Sequence, residues 1–283
     1  MILKCNLIVP GFAKSGTSSL HLYLAMHSDI CMSDPKEPHF FAFTHSWQRG
    51  FEWYNSIFQN ECRPRRWYGE SSTSYSVWEP ALEKIKHWLH QPRFIILLRH
   101  PIERLLSHYN WLAAMNLESR SLLKAVREEE EKGYHPDSPL PGGNFANYRQ
   151  ASHYSRFCPI VERLFGKENI LYLNSELLFK DPREALNKCF RFLSLKELVV
   201  SQEIRANATN EKLVQRTFGL NLLLKPFPPA FVDRLDPDAR FRRWAKQKLG
   251  KKKIPLPVIT TSDKDEIARM LKEDISFYES VFQ

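Results

Sequence analysis

What the chain lacks narrows it first. Its five cysteines, Cys5, Cys31, Cys62, Cys158 and Cys189, are few, odd in number and never spaced as C-x-x-C. That speaks against a disulfide-stapled secreted fold and for buried thiols in a reducing compartment. With no H-E-x-x-H and no Cys/His cluster at zinc spacing, no metal is expected. No G-x-S-x-G marks a serine hydrolase. No run approaches the roughly 18 apolar residues that a membrane span needs. The opening "MILKCNLIVPGFAK" enters a strand too soon for a secretory leader to be expected, so the chain reads as soluble and cytoplasmic. Internal repeats and low-complexity tracts are missing too.

What is present is enough for a sizeable core. Of 283 residues, 43% are hydrophobic and 13% aromatic, which suits one α/β domain over residues 1–283. Forty-one basic against 32 acidic residues give a formal charge of +9, which favours an anionic ligand without identifying one. Part of that charge sits in "RFRRWAKQKLGKKK", residues 240–253, within a variable basic segment over about 220–258. It reads either as a solvated helix face or as a contact for an acidic polymer or a membrane surface.

Hydrophobic patterning sets the organisation. Residues 2–9 form a nearly continuous apolar run, as a strand buried on both faces would. "SSLHLYLAMH" has helical spacing, two prolines break "SDPKEPHFF", and "WQRGFEWYNSIF" predicts a short helix. "WYGESSTSYS" predicts a strand leaving into a hydroxyl-rich loop, and "EPALEKIKHWLH" an amphipathic helix with Pro80 near its first turn. In "PRFIILLRHPIERLLSHYNWL" five apolar residues, Phe94 to Leu98, stop at Arg99, and Pro101 then opens a helix. "GYHPDSPLPGGN" is a loop, followed by a helix around residues 147–165, the strand "NILYLN" and a helix after Asp181-Pro182. A closing helix is expected over about 262–281, capped by Ser or Thr. Strands alternating with helices imply an α/β fold with a parallel sheet covered on both sides.

The stretch "LIVPGFAKSGTSSLHLYL" joins an apolar strand to a helix through a turn of glycines and hydroxyls, which is how backbone amides are arranged around an anion. Gly11 and Gly16 have the separation of the ATP and GTP loop G-x-x-x-x-G-K-[ST], but Thr17 stands where its lysine belongs and Lys14 lies inside the loop. Ligands of open α/β sheets bind beyond the carboxyl ends of the strands. If the two strong strands are parallel neighbours, Lys14 and Arg99 face one crevice, one for a 5′-side phosphate and one for a second phosphate. The structural alternative for Arg99 is an ion pair with Glu103, four residues on.

These residues resemble a known family. "PGFAKSGTSSL" is similar to the 5′-phosphosulfate loop of sulfotransferases that use 3′-phosphoadenosine 5′-phosphosulfate (PAPS), and "RFIILLRHPIERLLSHY" to their 3′-phosphate segment. "KEPHFF" resembles the glycan-sulfating branch, and "NILYLNSELLFKDPREALNKCFRFLSL" the family's later strand, Asp-Pro turn and helix. The resemblance implies a P-loop-like three-layer α/β fold. It implies donor contacts from Lys14, Ser15, Gly16, Thr17 and Ser18 on one side and from Arg99 and Ser107 on the other. Glu37 is implied as the base, with His39, two residues on, as the runner-up. "NATNEKLVQR" falls where relatives close a loop over the nucleotide, so Asn207 and Lys212 are implied as contacts. Many glycan-sulfating relatives carry a lysine where this chain has Ser71; either Lys14 acts alone or a basic residue from elsewhere replaces it. Trp53, Tyr75 and Trp78 could stack on adenine, though core packing explains such aromatics as well.

The reading implied is transfer of a sulfuryl group from PAPS to a hydroxyl of a glycan or small-metabolite acceptor. The product is adenosine 3′,5′-bisphosphate (PAP), and basic residues and amides alone can hold it. A kinase-like P-loop protein is the first alternative, but it wants the lysine after the second glycine and an acidic metal ligand at a strand end, where Arg99 stands. The second is a non-catalytic anion- or nucleic-acid-binding protein, which leaves both phosphate motifs unexplained, so nucleic acid is not expected as a partner. No feature of the sequence sets an oligomeric state.

Overall fold

The structure, a computed structural model, describes residues 2–58, 64–114, 117–129, 147–198 and 259–283. In chain order its elements are β1 (Leu7–Ile8), α1 (Thr17–Ala25), β2 (Ile30–Met32), α2 (Thr44–Trp47), α3 (Gly50–Ser56), β3 (Trp67–Glu70), α4 (Glu79–Trp88) and β4 (Arg93–Leu98). Then come α5 (Pro101–Ala114), α6 (Leu122–Glu129), α7 (Tyr154–Phe165), β5 (Ile170–Asn174), α8 (Ser175–Lys180), α9 (Pro182–Phe192), α10 (Thr261–Met270) and α11 (Lys272–Phe282).

The strands form one sheet in the order β2-β3-β1-β4-β5, and every neighbouring pair is parallel. β4 shows why the apolar run predicts a doubly covered strand. Phe94, Ile96 and Leu98 enter one core with Tyr154, Phe157 and Val161 of α7 and Leu82 and Ile85 of α4. Ile95 and Leu97 enter the opposite core with Leu20 and Leu24 of α1 and Leu186 and Phe190 of α9. Alternate residues point to opposite faces, so both halves of the run must be apolar. A third cluster joins α5, α6 and α10 through Leu105, Leu112, Val126 and Ile267.

Several sequence expectations need correction. The strand expected over residues 2–9 shrinks to Leu7–Ile8, although Asn6 N–H and Val9 N–H still donate to Tyr68 O and Glu70 O at 3.0 and 2.8 Å. β2 was not foreseen: three residues are too few to show a period. The helix expected around 147–165 begins at Tyr154, because the turn before it is held by other groups described below. The closing helix is two helices broken at Leu271, whose side chain is fully buried in the third cluster. Turning there lets α10 pack on α5 and α6 while α11 reaches α7, where Asp274 accepts from Ser155 N–H and Oγ at 3.0 and 2.7 Å. Thr260 caps α10 in a reciprocal arrangement with Asp263.

β1 is the hinge of the topology. The chain leaves it toward β2 and β3 on one side and later returns to place β4 on the other. Strand order reverses at β1, and in open α/β sheets it is beside such a reversal, here along the segments that follow β1 and β4, that ligands bind.

Among the described residues no helix is long and apolar enough to cross a membrane. Cys5, Cys31, Cys158 and Cys189 are free and buried, and Cys62 lies outside the described residues. The loop at 133–144 and the basic stretch at 240–253 also lie outside them.

Candidate active site

The segment after β1 wraps into the N-terminus of α1. Gly16 is the N-cap residue at φ 98°, a left-handed conformation that glycine adopts freely, and no side chain caps the helix. A Cβ there would stand 2.9 Å from Phe179 Cζ, so the loop is closed down against α8. The first amides of α1, at Thr17 and Ser18, have no carbonyl within the helix to bond and are oriented for an anion. Ser15 Oγ is buried and makes no hydrogen bond of acceptable geometry, although the Tyr154 phenol lies near it. Lys14 has no carboxylate in ion-pair range among the described residues; its ammonium lies 5.1 Å from the centre of the Trp111 ring. Burial, together with the charges of Arg99 and Arg104, lowers the Lys14 pKa to about 8. A buried hydroxyl, uncapped amides and an ammonium without a carboxylate partner among the described residues together form a donor set suited to an anion.

Arg99 comes from the end of the neighbouring strand, as the parallel β1–β4 pairing dictates. Its Nη1 donates to Lys14 O at 3.4 Å, and its Nη2 lies 3.7 Å from Glu103 Oε2. The pairing with Glu103 is therefore present, but it is long and solvent-accessible and contributes little. Pro101 opens α5, where its missing N–H costs nothing, and Ser107 is half-buried two turns further along.

A third group lies on the far side of the loop after β1. Lys36 and Glu37 form an ion pair, and Glu37 Oε2 lies 3.5 Å from both His39 Nε2 and Thr73 Oγ1. Burial pushes the Glu37 carboxyl up, but His39 and Lys36 outweigh it and hold its pKa at about 2. His39 N–H donates to Ser72 Oγ at 2.9 Å, and its Nδ1 meets Ser74 Oγ at 2.8 Å. The hydroxyl-rich loop after β3 thus cradles this turn, and Gly11 ties it to the phosphate-type loop: a Cβ on Gly11 would meet Ser76 Oγ at 2.8 Å.

Beneath the cradle is Glu70, fully buried, which the sequence did not single out. It accepts from Tyr54 Oη and Tyr75 Oη at 2.7 Å each and from Ser72 Oγ. Burial raises its pKa against those donors. The signal was available in "YGESSTSY": one acid at a strand end among hydroxyls. Tyr75 is consumed by this network, Trp53 is covered by the Arg49 guanidinium at 3.9 Å, and Trp78 is half-buried. Phe40 and Phe41 are wholly core.

Backbone conformation adds an independent sign. Five non-glycine residues with positive φ occur among the described residues, and three of them are Lys14 (72°), Glu37 (59°) and His39 (52°). Side chains adopt this region at a cost of about 1 to 3 kcal/mol, and such positions concentrate at functional sites. Ser71, where the family resemblance leads one to expect a lysine, is buried and bonded to His21 Nδ1 at 2.9 Å. Among the described residues no group of three or more His, Cys, Asp and Glu is placed to hold a metal. Asn207 and Lys212 lie outside the described residues.

Comparison with known proteins bears on this arrangement. A family model described as "Sulfotransferase domain" matches residues 5–217. The chain is 28% identical over 209 residues to heparan sulfate glucosamine 3-O-sulfotransferase 6 of Homo sapiens, covering 71% of this chain and 56% of that protein. It is 26% identical over 208 residues to heparan sulfate glucosamine 3-O-sulfotransferase 3B1 of Homo sapiens, covering 71% and 49%. The crystal structure of a sulfotransferase from Alicyclobacillus acidocaldarius matches with a TM-score of 0.62 at 25% identity, over 83% of this chain and 96% of that one. The chain spans about half the length of the curated relatives it matches.

Proposed function

The chain belongs to the sulfotransferase family, and from that premise we propose that it transfers a sulfuryl group from PAPS to a hydroxyl of a glycan or small-metabolite acceptor. The observation that carries the reading is the convergence of Lys14 and Arg99 from neighbouring strand ends, with Arg99 Nη1 donating to the Lys14 backbone carbonyl at 3.4 Å and its charge acting on the Lys14 ammonium, beside the uncapped start of α1. Lys14, the amides of Gly16, Thr17 and Ser18 and the Ser15 hydroxyl hold the 5′ side of the nucleotide. Arg99, Ser107 and the start of α5 hold the 3′-phosphate, with Asn207 and Lys212 as further contacts.

The transfer moves SO₃ between two oxygens. The bond from sulfur to the phosphate oxygen breaks, a bond from sulfur to the acceptor oxygen forms, and the acceptor hydroxyl loses its proton. Negative charge grows on the leaving phosphate, where Lys14 stabilises it more in the transition state than in the ground state. Glu37 takes the proton. At a pKa of about 2 it is ionised but weakly basic, and it becomes a better acceptor when Lys36 is drawn from it toward the sulfuryl oxygens. His39 fixes the carboxylate through Nε2 and is itself fixed by Ser74. A glycan acceptor is supported by the heparan sulfate relatives and by "KEPHFF".

The test has two arms. PAP should stabilise the protein thermally by RT ln(1 + [L]/Kd), and AMP or ATP with magnesium far less. A screen of hydroxyl acceptors with radiolabelled PAPS, with the Lys14→Ala protein as the blank, then identifies the acceptor. Equal stabilisation by AMP and PAP would remove the main support for the reading.

A further inference from the structure

Arg104 belongs to neither phosphate motif, and as an arginine inside an amphipathic helix it would be expected in solvent. Its side chain is instead fully buried, with no carboxylate in ion-pair range among the described residues. Every guanidinium nitrogen is nonetheless engaged. Nε donates to Ser152 Oγ at 2.7 Å, Nη1 donates to Ala13 O at 3.2 Å and lies 3.3 Å from His108 Nδ1, and Nη2 donates to Tyr148 O. Burying a cation among neutral acceptors is unfavourable unless the fold gains something that a neutral side chain would not supply.

The partners suggest what is gained. Ala13 and Lys14 are successive residues of the loop after β1, and their carbonyls are taken by Arg104 and Arg99 respectively. In a trans peptide the carbonyl and the next N–H point in opposite directions, so holding Ala13 O against α5 turns the Lys14 N–H away from α5. The same grip holds Lys14 in its left-handed conformation. On its other side Arg104 is anchored to the turn at residues 148–152, which Glu129 fixes by accepting from Arg149 N–H and Gln150 N–H at 2.7 Å each. This anchoring is why α7 starts late. A lysine has one nitrogen and cannot span three segments; the planar fork of arginine can.

We infer that Arg104 is a positioning residue that locks the loop around Lys14 to the helix carrying Ser107, so that the two phosphate subsites keep one fixed separation. This rests on the donor site proposed above. Its charge, only partly offset by the Glu129 carboxylate, adds to those of Lys14 and Arg99, and a bisphosphate relieves all three together.

Arg104→Lys in the full chain keeps the charge and removes the fork. Without nucleotide, hydrogen exchange of the Ser15 amide, which donates to Phe12 O at 3.0 Å, should rise about tenfold as the loop loosens. With nucleotide, the affinity advantage of PAP over AMP should fall about tenfold, and kcat should drop by up to about 10²-fold at little-changed acceptor KM. A variant with a lowered Tm but wild-type exchange and a wild-type PAP advantage would overturn the inference and leave Arg104 a core residue. If Arg104→Lys does not fold, Ser152→Ala removes one anchor and keeps the guanidinium. It should shift exchange in the same direction by less, and unchanged exchange there is equally fatal. Failure of the donor reading looks different, because then the wild type itself shows no preference for PAP and the exchange data alone judge Arg104.

Discussion

The ammonium of Lys14 should make nucleotide binding depend on alkaline pH with a sign opposite to that of folding. In the free protein its pKa is lowered to about 8, first by burial and then by Arg99 and Arg104. A bound bisphosphate, fully ionised above pH 7 because its second ionisations lie near 6, restores the proton. Only the charged form binds well, so the apparent Kd scales inversely with the protonated fraction. That fraction is about nine-tenths at pH 7 and one-tenth at pH 9, so affinity for PAP should weaken about tenfold over this interval. Folding of the free protein responds the other way. The unfolded chain keeps the Lys14 proton up to its ordinary pKa of 10.5, so between about 8 and 10.5 it binds more protons than the native state and this group's contribution to stability rises with pH. Calorimetric titration of PAP at pH 7, 8 and 9 measures the first effect. The difference in Tm between the free wild type and Lys14→Met, which should shrink as pH rises above 8, measures the second. Lys14→Arg, whose guanidinium stays charged, should flatten the binding profile. A flat wild-type profile, or an equal slope in Lys14→Met, would refute the reasoning.

Other outcomes follow from the cradle around Glu37. Glu37→Gln should retain PAP binding and lose on the order of 10²- to 10⁴-fold in transfer rate, since the amide cannot take the proton; near-normal transfer combined with an inactive His39→Ala would reassign the base to His39. Glu70→Leu strands the hydroxyls of Tyr54, Tyr75 and Ser72 at roughly 1 to 3 kcal/mol each, so denaturant unfolding should show a loss of about 3 kcal/mol or more; a loss below about 1 kcal/mol would mean the network is slack. Ser71→Lys would bury an ammonium beside His21, whose own pKa burial and Lys36 already push down to about 4. It should lower Tm without raising turnover, and a gain in turnover would show that this chain merely lacks a cation that its site can accommodate.

The sequence revealed features whose physical cause is local. β4 was legible because a strand covered on both faces must be apolar throughout, and its end was legible because Arg99 and Pro101 interrupt the run. The crevice position of Lys14 followed once β1 and β4 proved to be neighbours, a fact of topology that no window of sequence contains. Arg104 was missed because its charge is satisfied by groups far along the chain, from Ala13 to Ser152, whereas two of the Glu70 partners, Ser72 and Tyr75, stand within five residues of it and only its burial was hidden from the sequence. The break at Leu271 carried no glycine or proline, since packing against two different neighbours, not local propensity, produces it.

Directed evolution of this chain for heat resistance would meet a trap at positions 14, 37 and 39. A side chain held in the left-handed region costs roughly 1 kcal/mol or more, which the extra freedom of glycine in the unfolded chain offsets only in part. Lys14→Gly, which also removes a desolvated ammonium, would therefore score as an improvement in a screen that counts only surviving fold, while Glu37→Gly and His39→Gly would recover the same backbone cost against the loss of their Lys36 and Ser74 contacts. Such a screen would enrich robust proteins stripped of the groups proposed to perform the transfer. A library should hold these three codons constant and draw its diversity from places such as Leu22 of α1 and Met26 just past its end, exposed apolar side chains where polar replacements are free to be tried.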